Sequence, residues 1–143
     1  MSSSDTRVGV ARPRVLVVNH DLRLAQNVVA LLADSGYDVR VATDGAAALD
    51  TLSQWQADLV LLDLLMPRCD SWSFLTVLAS QKSSGRPAVL VWSVATAEEI
   101  ARARALGARV CPPRALTEPR VLLSTLARHV HALDGRSGAD GMR

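Results

Sequence analysis

Aromatic side chains are scarce in this sequence, with three Trp, one Tyr and one Phe among 143 residues. A core must therefore be assembled from Val, Leu and Ala, a composition that suits packed helices and buried parallel strands. Cysteine is nearly absent as well. Cys69 and Cys111 could form one disulfide at most, their spacing does not ask for it, and no Cys-x-x-Cys or Cys/His metal pattern occurs. Both are expected to be free thiols. Charge of one sign is missing too: the formal net charge is +2, with no basic run or stripe that would argue for nucleic acid. The polar start, Met1 to Gly9, has no signal-peptide core, and no stretch has the length of a membrane span. The expectation is a soluble cytoplasmic protein without nucleic-acid or membrane contact.

What is present is regular alternation. Residues 1–12 read as a disordered leader and 134–143 as a disordered tail, leaving one domain over 13–133. Within it short apolar runs alternate with longer amphipathic stretches. The runs Arg14 to Val18, Tyr37 to Ala42, Asp58 to Leu62, Ala88 to Trp92 and Ala108 to Pro112 predict five strands. The second alternates with period two, as near a sheet edge, and the third is the most apolar and the candidate for the centre. Helices are expected after each strand, the last from about Glu118 to Leu133, with Gly36 and Gly107 as stops and Thr96 to Glu99 as a capping box. Strict alternation with short connections implies an α/β fold: a doubly wound, five-stranded parallel sheet covered on both faces.

Ligands of such sheets sit at the carboxyl ends of the strands, where the strand order reverses. That rule selects Asn19, His20 and Asp21 after strand one, Asp63 after strand three, Ser93 after strand four, and Pro113 and Arg114 after strand five. A carboxylate, a hydroxyl and a guanidinium converging on one crevice could bind and transfer a phosphoryl group.

The run Asp58-Leu-Val-Leu-Leu-Asp63-Leu-Leu-Met-Pro67 resembles the phosphoacceptor segment of response-regulator receiver domains, and Ala103-Arg-Ala-Leu-Gly107-Ala108 is similar to the closure of their fourth helix. The resemblance covers roughly Arg14 to Val130. It implies a flavodoxin-like sheet of order 2-1-3-4-5 and a role in two-component phosphorelay signalling, with a histidine kinase or phosphotransfer protein as donor. Asp63 would be the phosphoacceptor and Ser93 would hydrogen-bond the phosphoryl oxygen, while Arg114 stands where the family has Lys, assuming no gap after Gly107. Mg²⁺ would be held by Asp63 and the backbone carbonyl of Leu65, with Asn19, His20 and Asp21 as the remaining candidate ligands.

The departures from the family pattern bear on that site. Asn19 and His20 stand where two acidic residues are usual, and Mg²⁺ prefers oxygen ligands and rarely takes imidazole. Asp21 comes one residue late and reads first as the N-cap of the first helix. Ala115 replaces the usual Pro, with the register of 112–115 left open; Cys111 replaces the switch aromatic, and Ser71 a Gly. Trp72 and Trp92 read as packing residues, with exposure of Trp92 pointing to docking. His129 and His131 read as surface residues.

Two signalling readings follow. One is a stand-alone receiver phosphorylated at Asp63 with Mg²⁺, which passes its signal by protein contact to an unknown output protein, since no output domain follows the last helix. The other is a degenerate receiver that docks without phosphorylation. A homodimer through the fourth and fifth helices, where Ile100, Arg102 and Arg104 lie, stays open. In neither reading is the chain a turnover enzyme. A nucleotide-binding enzyme lacks its Gly-rich loop, for 19–27 holds no Gly, and an Asp-x-Asp phosphatase lacks its second carboxylate at Leu65.

Overall fold

Central placement of the most apolar run is the organising fact of the structure, a computed structural model that describes residues 12–67, 70–81 and 85–141, with side chains through Leu133. The leader apart from Arg12, Cys69, and part of the turn before Pro87 lie outside the described residues. Five strands, β1 (Arg14–Val18), β2 (Asp38–Ala42), β3 (Leu59–Leu62), β4 (Ala88–Val91) and β5 (Arg109–Val110), form one parallel sheet in the order β2-β1-β3-β4-β5. Helices α1 (Leu22–Asp34), α2 (Gly45–Gln54), α3 (Asp70–Ser80), α4 (Ala97–Ala105) and α5 (Pro119–Gly141) connect and follow the strands. β3 is buried along its whole length, as a strand covered on both faces must be. β2, on the edge, is mostly exposed, with Ala42 buried at its end.

Strand side chains point alternately to the two faces, so the core divides in two. Leu16, Val18, Val60, Leu62, Val89 and Val91 face one way and pack with Phe74, Leu75 and Leu78 of α3 and Ala103 of α4. Val15, Val17, Leu59, Leu61 and Leu90 face the other way, against Ala25, Val28 and Leu32 of α1 and Leu122 and Leu126 of α5. In-register pairing of Val18 with Leu62 and of Leu62 with Val91 sets the ends of β1, β3 and β4 level.

Local chemistry fixes where the helices begin and end. Asp21 caps α1 by accepting the Leu24 N–H, Asp44 caps α2, and Thr96 with Glu99 closes a reciprocal capping box on α4. Gly36 and Gly107 follow α1 and α4 at φ 97° and 92°, a region that costs a Cβ-bearing residue energy. Two boundaries differ from the sequence pattern. β5 has only two residues, because Cys111 makes one last ladder bond and Pro112 and Pro113 have no N–H to continue it; a 3-10 turn, Pro113–Leu116, follows. α5 runs to Gly141 instead of ending near Leu133.

Candidate functional site

From β1 the chain moves outward to β2, and from there returns to β3 on the other side of β1. The carboxyl ends of β1 and β3 therefore flank the point where strand order reverses, and a crevice opens there. One further ladder bond holds each residue leaving the sheet: Asn19 N–H to Ala42 O at 3.0 Å, Asp63 N–H to Val18 O at 3.0 Å, and Trp92 N–H to Leu62 O at 2.9 Å. The backbone of Asp63 is thus an extension of β3, and the residue is only 7% exposed.

Its carboxylate has three partners within the chain. Oδ1 accepts the Leu65 backbone N–H at 2.9 Å and the Ser93 hydroxyl at 3.0 Å. Oδ2 lies 3.2 Å from Nδ1 of His20. A buried carboxylate needs such partners, because burial without them costs several kcal/mol, on the order of 2–7 for a polar group alone. The carbonyl of Asp63 is tied as well: Ser71, fully buried in the first turn of α3, donates its hydroxyl to it at 2.7 Å. Ser71 entered the sequence reading only as a departure from glycine. A buried hydroxyl eight residues beyond the carboxylate gives no periodic signal, and only the approach of α3 to the end of β3 reveals its role.

Of the sequence-selected residues, Asp63, His20 and Ser93 come together, and the Leu65 backbone joins them through its N–H. Asn19 is buried, but its amide oxygen accepts the Asp21 N–H at 2.9 Å, which shapes the loop. Asp21 turns to the α1 N-terminus and caps it. Arg114 stands apart. It leaves the 3-10 turn and forks onto Glu118, Nε to Oε2 at 2.7 Å and Nη2 to Oε1 at 2.8 Å, with its side chain 72% exposed. No hydrogen bond joins it to Asp63 among the described residues, so the expected convergence of a guanidinium on the crevice is not what the chain shows.

Trp92 is buried rather than open for docking, and its indole N–H donates to the Ala115 carbonyl at 2.8 Å, fastening the end of β4 to the 3-10 turn. Trp72 packs in the other core with the Arg102 guanidinium 4.3 Å from its ring centre, which draws that arginine of α4 toward α3. Cys111, in the position expected for a switch aromatic, is buried, and burial pushes its thiol up to about 12. At neutral pH it is a protonated, unreactive thiol.

A buried carboxylate at the end of the central strand, with a hydroxyl from the next strand end on one of its oxygens, defines a receiver-type signalling domain. The chain matches the model of the response regulator receiver domain over residues 15–111, and it belongs to that family. It is 34% identical over 131 residues to the transcriptional regulatory protein PrrA of Mycobacterium leprae, covering 92% of this chain and 54% of that protein. It is 33% identical over 127 residues to the response regulator MprA of Mycobacterium sp. (strain KMS), covering 89% and 53%. The chain thus spans about half the length of these curated relatives. Among solved structures, it superposes on the chemotaxis response regulator CheY4 of Vibrio cholerae with TM-score 0.73 at 27% identity, covering 83% of this chain and 99% of that one. A receiver domain from Bermanella marisrubri gives TM-score 0.75 at 26% identity, covering 84% and 99%.

Receiver domains generally bind Mg²⁺ at an acidic site and interact with histidine kinases. The donors around Asp63 do not fit that ion. Mg²⁺ demands near-octahedral oxygen ligation. Asp63 is the one carboxylate in its own hydrogen-bond group, one oxygen already carries two donors, and the other faces an imidazole. No group of three His, Cys, Asp or Glu side chains able to hold a metal occurs among the described residues.

Proposed function

We propose that this chain is a receiver-family signalling module that acts by protein–protein contact at the Asp63 end of the sheet, without depending on phosphorylation of Asp63. The observation that carries this reading is the apolar exposure in the segments that follow the carboxyl ends of the strands. Leu22 and Leu24 in the first turn of α1, Leu65 after β3 and Val94 after β4 are four of the six exposed large hydrophobic residues described, at 47, 41, 53 and 67%. Exposed apolar groups at one end of a domain favour contact with a partner. The Asp63 carboxylate has its hydrogen-bond partners within the chain, and the arginine in the place of the family's Lys is held on Glu118.

A second reading keeps Asp63 as the phosphoacceptor, with output again through protein contact. It is favoured by the Ser93 hydroxyl and the Leu65 N–H, which orient the carboxylate. In that case an Asp63 oxygen attacks the phosphorus of a phosphohistidine donor, the P–N bond breaks, and the imidazole leaves with a proton. Under either reading the chain relays a signal and is not a turnover enzyme. The partner is a histidine kinase, a phosphotransfer protein or an output protein. A homodimer through α4 and α5 is compatible with both readings.

No direct contact with nucleic acid is proposed, given a net charge of +2. MtrA of Mycobacterium leprae is named a DNA-binding response regulator, but the match covers 35% of that protein, and the name describes the whole of it. No described helix is long and apolar enough to cross a membrane; a cytoplasmic location is proposed.

The test exposes the protein to a small phosphoryl donor such as phosphoramidate, with Mg²⁺ present, and measures its intact mass. The expected result is an unmodified wild type, matching Asp63→Asn. A gain of one phosphoryl group in the wild type that Asp63→Asn lacks would establish the second reading.

A further inference from the structure

We infer that His20 has taken over the position of a divalent cation in this receiver, so that the pocket is closed to Mg²⁺, and that replacing this one side chain by a carboxylate opens it. The inference concerns the same pocket as the proposed function but does not depend on whether Asp63 accepts a phosphoryl group.

Three features of the pocket lead to it. First, the two oxygens of Asp63 are divided by function. Oδ1 is spent inside the protein on Leu65 N–H and Ser93, while Oδ2 has His20 as its partner. A cation bound to this carboxylate would meet the imidazole at Oδ2, the oxygen with fewer partners. Second, His20 reaches Oδ2 from the loop after β1, and its side chain is 46% exposed, so it sits between the carboxylate and solvent. Third, the same imidazole borders a crevice of about 440 Å³, lined also by Thr43, Asp44, Met66 and Asp70. That volume has room for the waters that Mg²⁺ keeps in its shell.

Nothing else about the pocket requires His20. Asp63 is placed by the β3 ladder and by Ser71, and Asn19 is fixed by its bond to the Asp21 N–H. A His20→Asp variant therefore keeps the scaffold, removes the donor from Oδ2, and puts a second hard oxygen ligand beside it. It also sets two carboxylates next to each other. Their repulsion destabilises the metal-free variant, and a cation that binds both relieves it.

The experiment follows thermal unfolding and backbone amide spectra of the full chain during titration with MgCl₂ into the millimolar range. Wild type should show no change in melting temperature and no saturable shift at Asp63, Leu65 or Ser93. His20→Asp should melt lower without Mg²⁺, rise by several degrees with it, and show saturable shifts at those residues. Adding Asp63→Asn should abolish the response. Circular dichroism checks that each variant folds, and His20→Glu supplies the carboxylate on a longer arm should the shorter one fold poorly.

A wild type that responds saturably through Asp63 overturns the inference, because His20 then does not close the site. Folded His20→Asp and His20→Glu proteins that both ignore Mg²⁺ overturn it too, because His20 is then not what keeps the cation out. The phosphoryl-donor experiment reads covalent mass and not cation binding, so the two can fail separately.

Discussion

The crevice has two halves built to different standards. On the β3 side, Asp63 extends a buried strand, its carbonyl is held by a buried serine, and its Oδ1 has two donors. In the loops after β1 and β5, on either side of it, the residues have turned to local structural tasks: Asp21 caps α1, Asn19 shapes its loop, and Arg114 binds Glu118 on the surface. Of these loop residues His20 meets the carboxylate. The contrast teaches that the two parts of a receiver site are separable. Asp63 belongs to the core and comes with the fold, whereas the groups around it hang on loops that can change without disturbing the sheet.

Substitutions on the two sides should sharpen this contrast. Ser71→Ala should have the largest effect, because it leaves the buried Asp63 carbonyl without its donor; such losses cost about 1–3 kcal/mol, readable by urea denaturation. A cost near zero would mean that the β3 half is looser than described. Asp21→Ala should cost about 1 kcal/mol through the lost helix cap, with the fraying confined to the first turn of α1 in hydrogen exchange. Amide changes spreading to Asp63 instead would show that Asp21 serves the site. Arg114→Ala should be the smallest, with stability indistinguishable from wild type, since an exposed ion pair between flexible side chains contributes little. A clear loss, or a shift at Ser93, would place Arg114 back in the crevice.

Much of the β3 half was legible in the sequence. A short apolar run within a regular strand-helix alternation fits a strand covered on both faces, and the residue after it emerges at the crevice, so Asp63 could be placed from the pattern. The Met-Pro sequence after it gave the family. The hydrogen bond from Ser93 follows from the level ends of β3 and β4. The other half was legible only where a local rule applies. Asp21, three residues before the Leu24 N–H it caps, obeys one.

The position of Arg114 obeys no such rule that spacing from Gly107 could reveal. Pro112 and Pro113 cut β5 short and start a 3-10 turn, and Glu118 lies one helical turn further on, at the i+4 distance that captures a guanidinium. The pairing of His20 with Oδ2 was likewise hidden, because it joins residues 43 apart through the reversal of strand order. Trp92 reads as packing in sequence and is packing in the structure, but its bond to Ala115 comes from the same proline-rich turn.

We propose that Asp63 keeps the family's acceptor position while the charges that would activate it are missing from the loops after β1 and β5. The most direct test is the intact mass of two proteins after identical exposure to phosphoramidate and Mg²⁺: the wild type, and a variant carrying Asn19→Asp, His20→Asp and Arg114→Lys. The expected result is an unmodified wild type and a variant that gains one phosphoryl group on Asp63. A wild type phosphorylated at Asp63 as fully as the variant would contradict it.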